Sequence, residues 1–172
     1  MNTCSKSFLA PNAKSLGLAA GVAVALGLAA AQTAAAAPPF ASFAGSWSGS
    51  GEVIGTNGNR ERIRCRAQYS EAQHGEALNQ TIVCASDSYR IDITSYVEAS
   101  GSSVQGDWRE ATRDVSGHLT GHIEGGHFSG AVVGAGFTAA VSLTSNGRTQ
   151  AVSIRPQGGD IADVQVELRR HG

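Results

Sequence analysis

Past residue 36 this chain of 172 residues contains no lysine, no methionine and only two cysteines, Cys65 and Cys84. Without lysine, its cations are 11 arginines set against 14 acids, a formal net charge of −3. That balance excludes the broad cationic excess on which nucleic-acid binders and polybasic membrane binders depend. Two cysteines are too few for a thiolate metal centre, and no G-x-S-x-G elbow is present to carry a hydrolase nucleophile. Long apolar runs are missing as well, apart from residues 15–31. Helical spacing of apolar residues is scarce throughout the remainder.

The apolar run explains itself through its flanks. Lys6 and Lys14 precede it without any acid, and Gln32, Thr33 and Ala34 to Ala37 follow with small-x-small spacing. This is the pattern of a secretory signal peptide over residues 1–36, cleaved after about Ala36 because Pro38 blocks cutting directly before it. The run falls short of the roughly 20 residues that span a bilayer comfortably, so no stable membrane insertion is expected after cleavage. Cys4 leaves with the signal. Export makes the protein periplasmic or secreted, and an oxidising compartment favours a disulfide between Cys65 and Cys84.

What is abundant is glycine, 22 residues in all, punctuating apolar residues that repeat at every second position. Breaks arrive about every 8 to 12 residues, the rhythm of an all-β chain. A short N-terminal arm, 37–44, leads into a single domain, 45–172. Its first strand spans 45–54, with Gly49 and Gly51 allowing sharp curvature. The next two strands fold back at His74-Gly75, so that partners sum to about 149: Cys65 faces Cys84, Ala67 faces Ile82 and Arg62 faces Asp87. Residues 88–98 alternate cleanly, and 104–110 follow, with Trp108 on the core face. A turn at Gly125-Gly126 sets Ile123 against Phe128, and one at Asn146-Gly147 sets Val141 against Val152. The last strand runs from 161 to about 169. The expected fold is an antiparallel up-and-down meander of about 8–10 strands closing into a small barrel, since closure removes both exposed edges.

The start Gly45-Ser46-Trp47 resembles the G-x-W opening of the lipocalin/calycin superfamily. The resemblance implies that a late arginine, Arg169 or Arg170, packs on Trp47 and helps to close the barrel. The run 45–52 also resembles nitrobindin-type ten-stranded barrels, which bind haem through a histidine near the C-terminus. Here the corresponding residue is His171, one from the end and beyond the expected last strand, so no cofactor is expected. Small disulfide-containing exported barrels with this first strand also resemble inhibitors of proteases or lysozymes.

Candidate chemistry is sparse. His118 and His122 are weak metal candidates, but on a strand they lie about 7 Å apart on the outer face. Asp87, Asp92, Asp107 and Glu110 each have arginines nearby, which keep carboxylates ionised rather than available as acid catalysts. The stripe Arg60, Arg62, Arg64, Arg66 reads as a solvated face, with Glu61, Glu71 and Asp87 close in sequence. The expected function is therefore non-enzymatic: an exported barrel holding a small, largely apolar ligand against Trp47, Tyr69, Tyr89, Trp108, Phe128 and Phe137. The alternative is a protein partner, such as a secreted protease or lysozyme, bound through the arm or the loop tips.

Overall fold

A computed structural model describes residues 37–171. The signal peptide expected over 1–36 lies outside the described residues. Ten antiparallel strands follow one another: β1 (Gly45–Gly55), β2 (Arg60–Ala72), β3 (Ala77–Ala85), β4 (Arg90–Ser100), β5 (Ser103–Glu110), β6 (Val115–Glu124), β7 (His127–Gly134), β8 (Phe137–Ser145), β9 (Thr149–Pro156) and β10 (Ile161–His171). Each pairs with its chain neighbours, and β10 returns to β1 from Ser46–His171 to Gly55–Ile161, so the barrel is closed and has no edge.

Curvature comes from glycines. A Cβ added at Gly49 would sit 1.9 Å from the Glu167 carbonyl oxygen, and one at Gly51 would sit 2.0 Å from that of Gln165. Across the barrel the same holds for Gly117 against Val133 and for Gly130 against Thr120. At these corners neighbouring backbones approach too closely for any side chain, which is how a flat meander is bent into a tube.

The central hairpin has the register the sequence implied, with Cys65 opposite Cys84, Ala67 opposite Ile82, and a disulfide joining the two cysteines. Gln73, His74 and Gly75 turn it with φ of 48°, 58° and 89°. The expected Arg62–Asp87 pair is absent among the described residues. The ladder stops at Arg64–Ala85, because the Ser86 N–H donates to the Tyr89 carbonyl and turns the chain before Asp87 can face β2. The same turn delays β4 to Arg90. The Gly125-Gly126 hairpin pairs Ile123 with Phe128 as expected, but the last hairpin is slipped by two, with Val141 facing Ile154 and Leu143 facing Val152. Its cause is Asn146, whose side-chain oxygen accepts from the Arg148 and Thr149 N–H groups and widens the loop. A slip of two leaves every side chain on its original face.

The buried core fills the end that receives the arm and runs along β1, β2 and β10 to Val53 and Ile63 at the other. Phe40 and Phe43 of the arm are 3% and 2% exposed and pack with Trp47, Tyr69, Leu78, Val97, Val104, Ile123, Phe128 and Leu168. Three consecutive arm carbonyls are bound by the barrel. The Ser145 hydroxyl donates to Ser42, the Trp47 indole N–H donates to Phe43 at 2.7 Å, and the Arg170 guanidinium donates to Ala44. Hairpin glycines make room for the arm, since a Cβ at Gly75 would meet Pro38 at 2.5 Å. The arm thus plugs this end of the barrel, with the Ser42, Phe43 and Ala44 carbonyls bound by barrel side chains.

Candidate functional site

The strand ladders give each residue's face, and the inward side chains fall into two populations. Those around the arm are buried. Toward the opposite end, where β3 and β7 finish and β4 and β8 begin, Val53, Ile63 and Glu110 are buried, while inward Ile82, Ile91, Ile93, Leu119, Val132, Val141, Ile154 and Val164 are half-buried. Several of these, Ile82, Leu119, Val141 and Val164, still pack against the buried core, and the partly exposed surface at this end is aliphatic.

Aromatic and polar groups complete this end. Trp108 shares its row with Gly117 and Gly134, two positions without side chains, so its indole lies against bare backbone. A Cβ at Gly134 would come within 2.9 Å of the indole. Beyond that shelf Trp108 meets Phe137 edge-to-face, with ring centroids 6.2 Å apart. On its other side lies Ser95, whose hydroxyl donates to Gln80 at 2.6 Å, an inward polar pair in an apolar wall. The Tyr89 hydroxyl at the rim is buried without a partner. Burial raises its pKa, Glu61 adds to the rise, and Arg113 opposes it.

The six aromatics singled out in the sequence therefore separate. Trp47, Tyr69 and Phe128 are buried at the arm's end, while Tyr89 and Trp108 are half-buried and Phe137 is 37% exposed at the other. Trp108, expected in the core, is half-buried, because glycines rather than packing partners lie beside it. The arginine over Trp47 is Arg170, 5.0 Å from the ring centroid. Arg169 faces Ser48 on the outer wall.

Glu110 was grouped with a solvated charge patch, yet it is 7% exposed. It faces inward and ties the β5–β6 turn, accepting from the Asp92, Thr112 and Arg113 N–H groups and from the Thr112 hydroxyl. Burial acts to raise its pKa, but these hydrogen bonds prevail and lower it to about 2. Hydrogen bonds, more than neighbouring arginines, keep it ionised. The rest of the patch is exposed as expected, with Arg109 on Asp114 and His118 Nδ1 2.5 Å from Asp107.

All five histidines are exposed. His118 and His122 share the outer face of β6, and no three His, Cys, Asp or Glu side chains converge among the described residues. His171 lies within β10, two residues past the expected end of that strand, and its ring bonds the Ser48 hydroxyl on the outer wall. A depression of about 570 Å³ adjoins Trp108, and its lining combines inward Gln80 and Ser95 with outward Asn79, Thr81, Tyr96 and Arg109.

Sequence reasoning missed the stopper, because 37–44 has no strand period to read. It also passed over Gln80 and Ser95, although both occupy inward positions in strands whose alternation was otherwise apolar.

No family model and no curated protein matches the chain. Solved structures share its shape. The crystal structure of Rv2717c from M. tuberculosis is similar with a TM-score of 0.60 and 13% identity, over 80% of this chain and all of that one. The S-type phycobiliprotein lyase CPES from Guillardia theta is similar with a TM-score of 0.54 and 12% identity, over 77% of this chain and 90% of that one. At such identity the likeness is one of fold.

Proposed function

We propose that this protein is an exported, non-enzymatic carrier that takes a small, largely apolar ligand into the open end of its barrel. The observation that carries the reading is the asymmetry of the lumen. One end is sealed by Phe40 and Phe43, and the other leaves inward Ile91, Ile93, Val132 and Ile154 within reach of solvent. Exposed aliphatic surface inside a closed tube is costly to leave wet and suits an apolar guest. Trp108 and Phe137 offer flat contact, and the unpartnered Tyr89 hydroxyl suits a ligand with a hydrogen-bond acceptor. Calycin kinship is supported by Gly45-Ser46-Trp47 with Arg170 over the indole and by the shared shape of a phycobiliprotein lyase.

The disulfide supports an oxidising compartment, periplasmic or extracellular. Among the described residues no helix is long and apolar enough to cross a membrane. Interior acid–base chemistry finds no support, since every histidine is exposed and Glu110 is tied into a turn. A haem held from inside by His171 does not fit either, because that ring lies on the outer wall. Partner binding through the arm has little support, since Phe40 and Phe43 are committed to the core. A protein partner would have to use the loop tips.

The test is native mass spectrometry of the protein from the cells that export it, with 8-anilinonaphthalene-1-sulfonate titrated into the stripped protein. A co-purifying small molecule and saturable dye fluorescence, weakened by Trp108→Ala, are expected. Absence of both a co-purifying molecule and saturable dye binding would overturn the carrier reading.

A further inference from the structure

β2 carries Arg62, Arg64 and Arg66 at alternate positions on the outer wall, all exposed. Alternate strand residues are about 7 Å apart, so the guanidinium groups stand in a line. Their neighbours are mostly small: Arg64 lies between Ser50 and Ala85, and Arg66 between Ser48 and Val83. One strand further out the charge returns, with Arg90 beyond Ala85 and Arg169 beyond Ser48. Each of these arginine pairs is separated by two strand spacings, about 10 Å, across a small side chain. That leaves room for one anionic group held between two planar forks.

The acids that seemed to neutralise this stripe in the sequence do not lie on its face. Glu61 and Glu71 occupy the inward alternation of β2, and Glu61 is bonded to Ser88. Asp87 lies beyond the ladder. On the outer wall itself, Glu52 faces Arg62 but is bonded to Arg60, Asp92 sits beyond Val83, two strands from Arg66, and is bonded to Arg90, while Glu167 sits beyond Ser50, two strands from Arg64. Among the described residues Arg62, Arg64, Arg66 and Arg169 have no carboxylate partner. The domain is net acidic, so this cluster is not the overflow of a basic composition.

We propose that the outer wall around Arg64 and Arg66 binds a linear polyanion bearing carboxylates, that is, an acidic polysaccharide. From Arg60 to Arg66 the stripe runs about 20 Å along a convex wall, which meets a chain along a line better than it meets a membrane plane. The flanking groups are Ser46, Ser48, Ser50, Gln68 and Thr81, hydroxyls and an amide suited to sugar hydroxyl groups. No exposed aromatic interrupts the stripe to stack on a base, which disfavours single-stranded nucleic acid.

The probe is polygalacturonate, titrated into the mature disulfide-bonded protein by calorimetry at 20 and 150 mM NaCl, with sodium polyphosphate and phosphatidylglycerol vesicles in parallel. Saturable polygalacturonate binding is expected, weakened at least tenfold by Arg64→Gln with Arg66→Gln, unchanged by Arg148→Gln, and weaker at the higher salt. Both variants are exposed and should melt as the parent does, and Arg64→Lys with Arg66→Lys should restore binding in part. Absence of binding, equal binding by the glutamine variant, or a preference for polyphosphate or vesicles would each overturn the proposal. Dye binding in the lumen is independent of all these outcomes.

Discussion

Replacing Phe43 by alanine tests the claim that the arm is the floor of the barrel. Phe43 is 2% exposed and meets Phe40 edge-to-face at 6.4 Å. Emptying such a site removes the transfer energy of the ring and leaves a cavity, together about 3–5 kcal/mol. Phe137 has the same chemistry but is 37% exposed at the open end. Its truncation forfeits part of one ring's burial and an edge contact with Trp108, about 1–2 kcal/mol. With a urea slope of about 2 kcal/mol per molar, Phe43→Ala should lower the unfolding midpoint by about 1.5–2.5 M and Phe137→Ala by about 0.5–1 M. Fluorescence and far-UV circular dichroism should give coincident transitions on the disulfide-intact protein. The Trp47 bond to the Phe43 carbonyl survives the substitution, so the loss reports packing alone. If Phe43→Ala costs no more than Phe137→Ala, the arm does not seal the barrel.

Gly49→Ala should cost more than about 3 kcal/mol or prevent folding, since its Cβ would overlap the Glu167 carbonyl, whereas Gly101→Ala, at φ 60° with nothing within 4 Å, should cost about 1 kcal/mol. Thermal melts of the two separate backbone clash from turn strain. Glu110 has a carboxyl lowered from 4.5 to about 2 in the fold, so the unfolded chain takes up that proton first. Its contribution is therefore present above about pH 4.5 and lost as pH falls toward 2. Glu110→Gln should destabilise at pH 7 and flatten the urea midpoint across that window, and an unchanged acid slope would refute the assignment. Replacing Cys65 and Cys84 together by serine opens a loop of 19 residues' separation and should cost about 3 kcal/mol in urea titrations.

Local rules were enough for the hairpins whose turns are made by glycine. Gly125 and Gly126 adopt φ of 56° and 81° without cost, so the two-residue turn and its register follow from the letters. At Asn146 the same reasoning slipped by two, because a side-chain oxygen competes for backbone donors and changes the loop length, something alternation does not encode. The faces survived because the slip was even. Closure was legible only as an argument about edges, yet β10 meets β1 along its full length. Burial was the harder part. Period two says that Trp108 and Trp47 both face inward, but whether an inward residue is sealed depends on what arrives from elsewhere in the chain. Trp47 receives Phe43 and Arg170, and Trp108 receives two glycines. Glu110 was misplaced for the same reason, since its burial comes from the turn it ties.

This uneven burial along the barrel bears on what holds the fold together. An inward side chain stabilises by burial only where something packs on it, and the half-buried aliphatics at the open end contribute less than their number suggests. The deficit is offset where covalent and polar ties concentrate. The disulfide staples β2 to β3, three arm carbonyls are bound by Ser145, Trp47 and Arg170, and ten ladders run without an edge. Stability that rests on the stopper and the wall leaves the mouth free of packing demands. Substitutions at Ile93 or Val132 should therefore be milder in urea than at Leu78 or Val97, while moving dye affinity more. The reverse order, with mouth residues dominating stability, would mean that the lumen is filled and has no room for a guest.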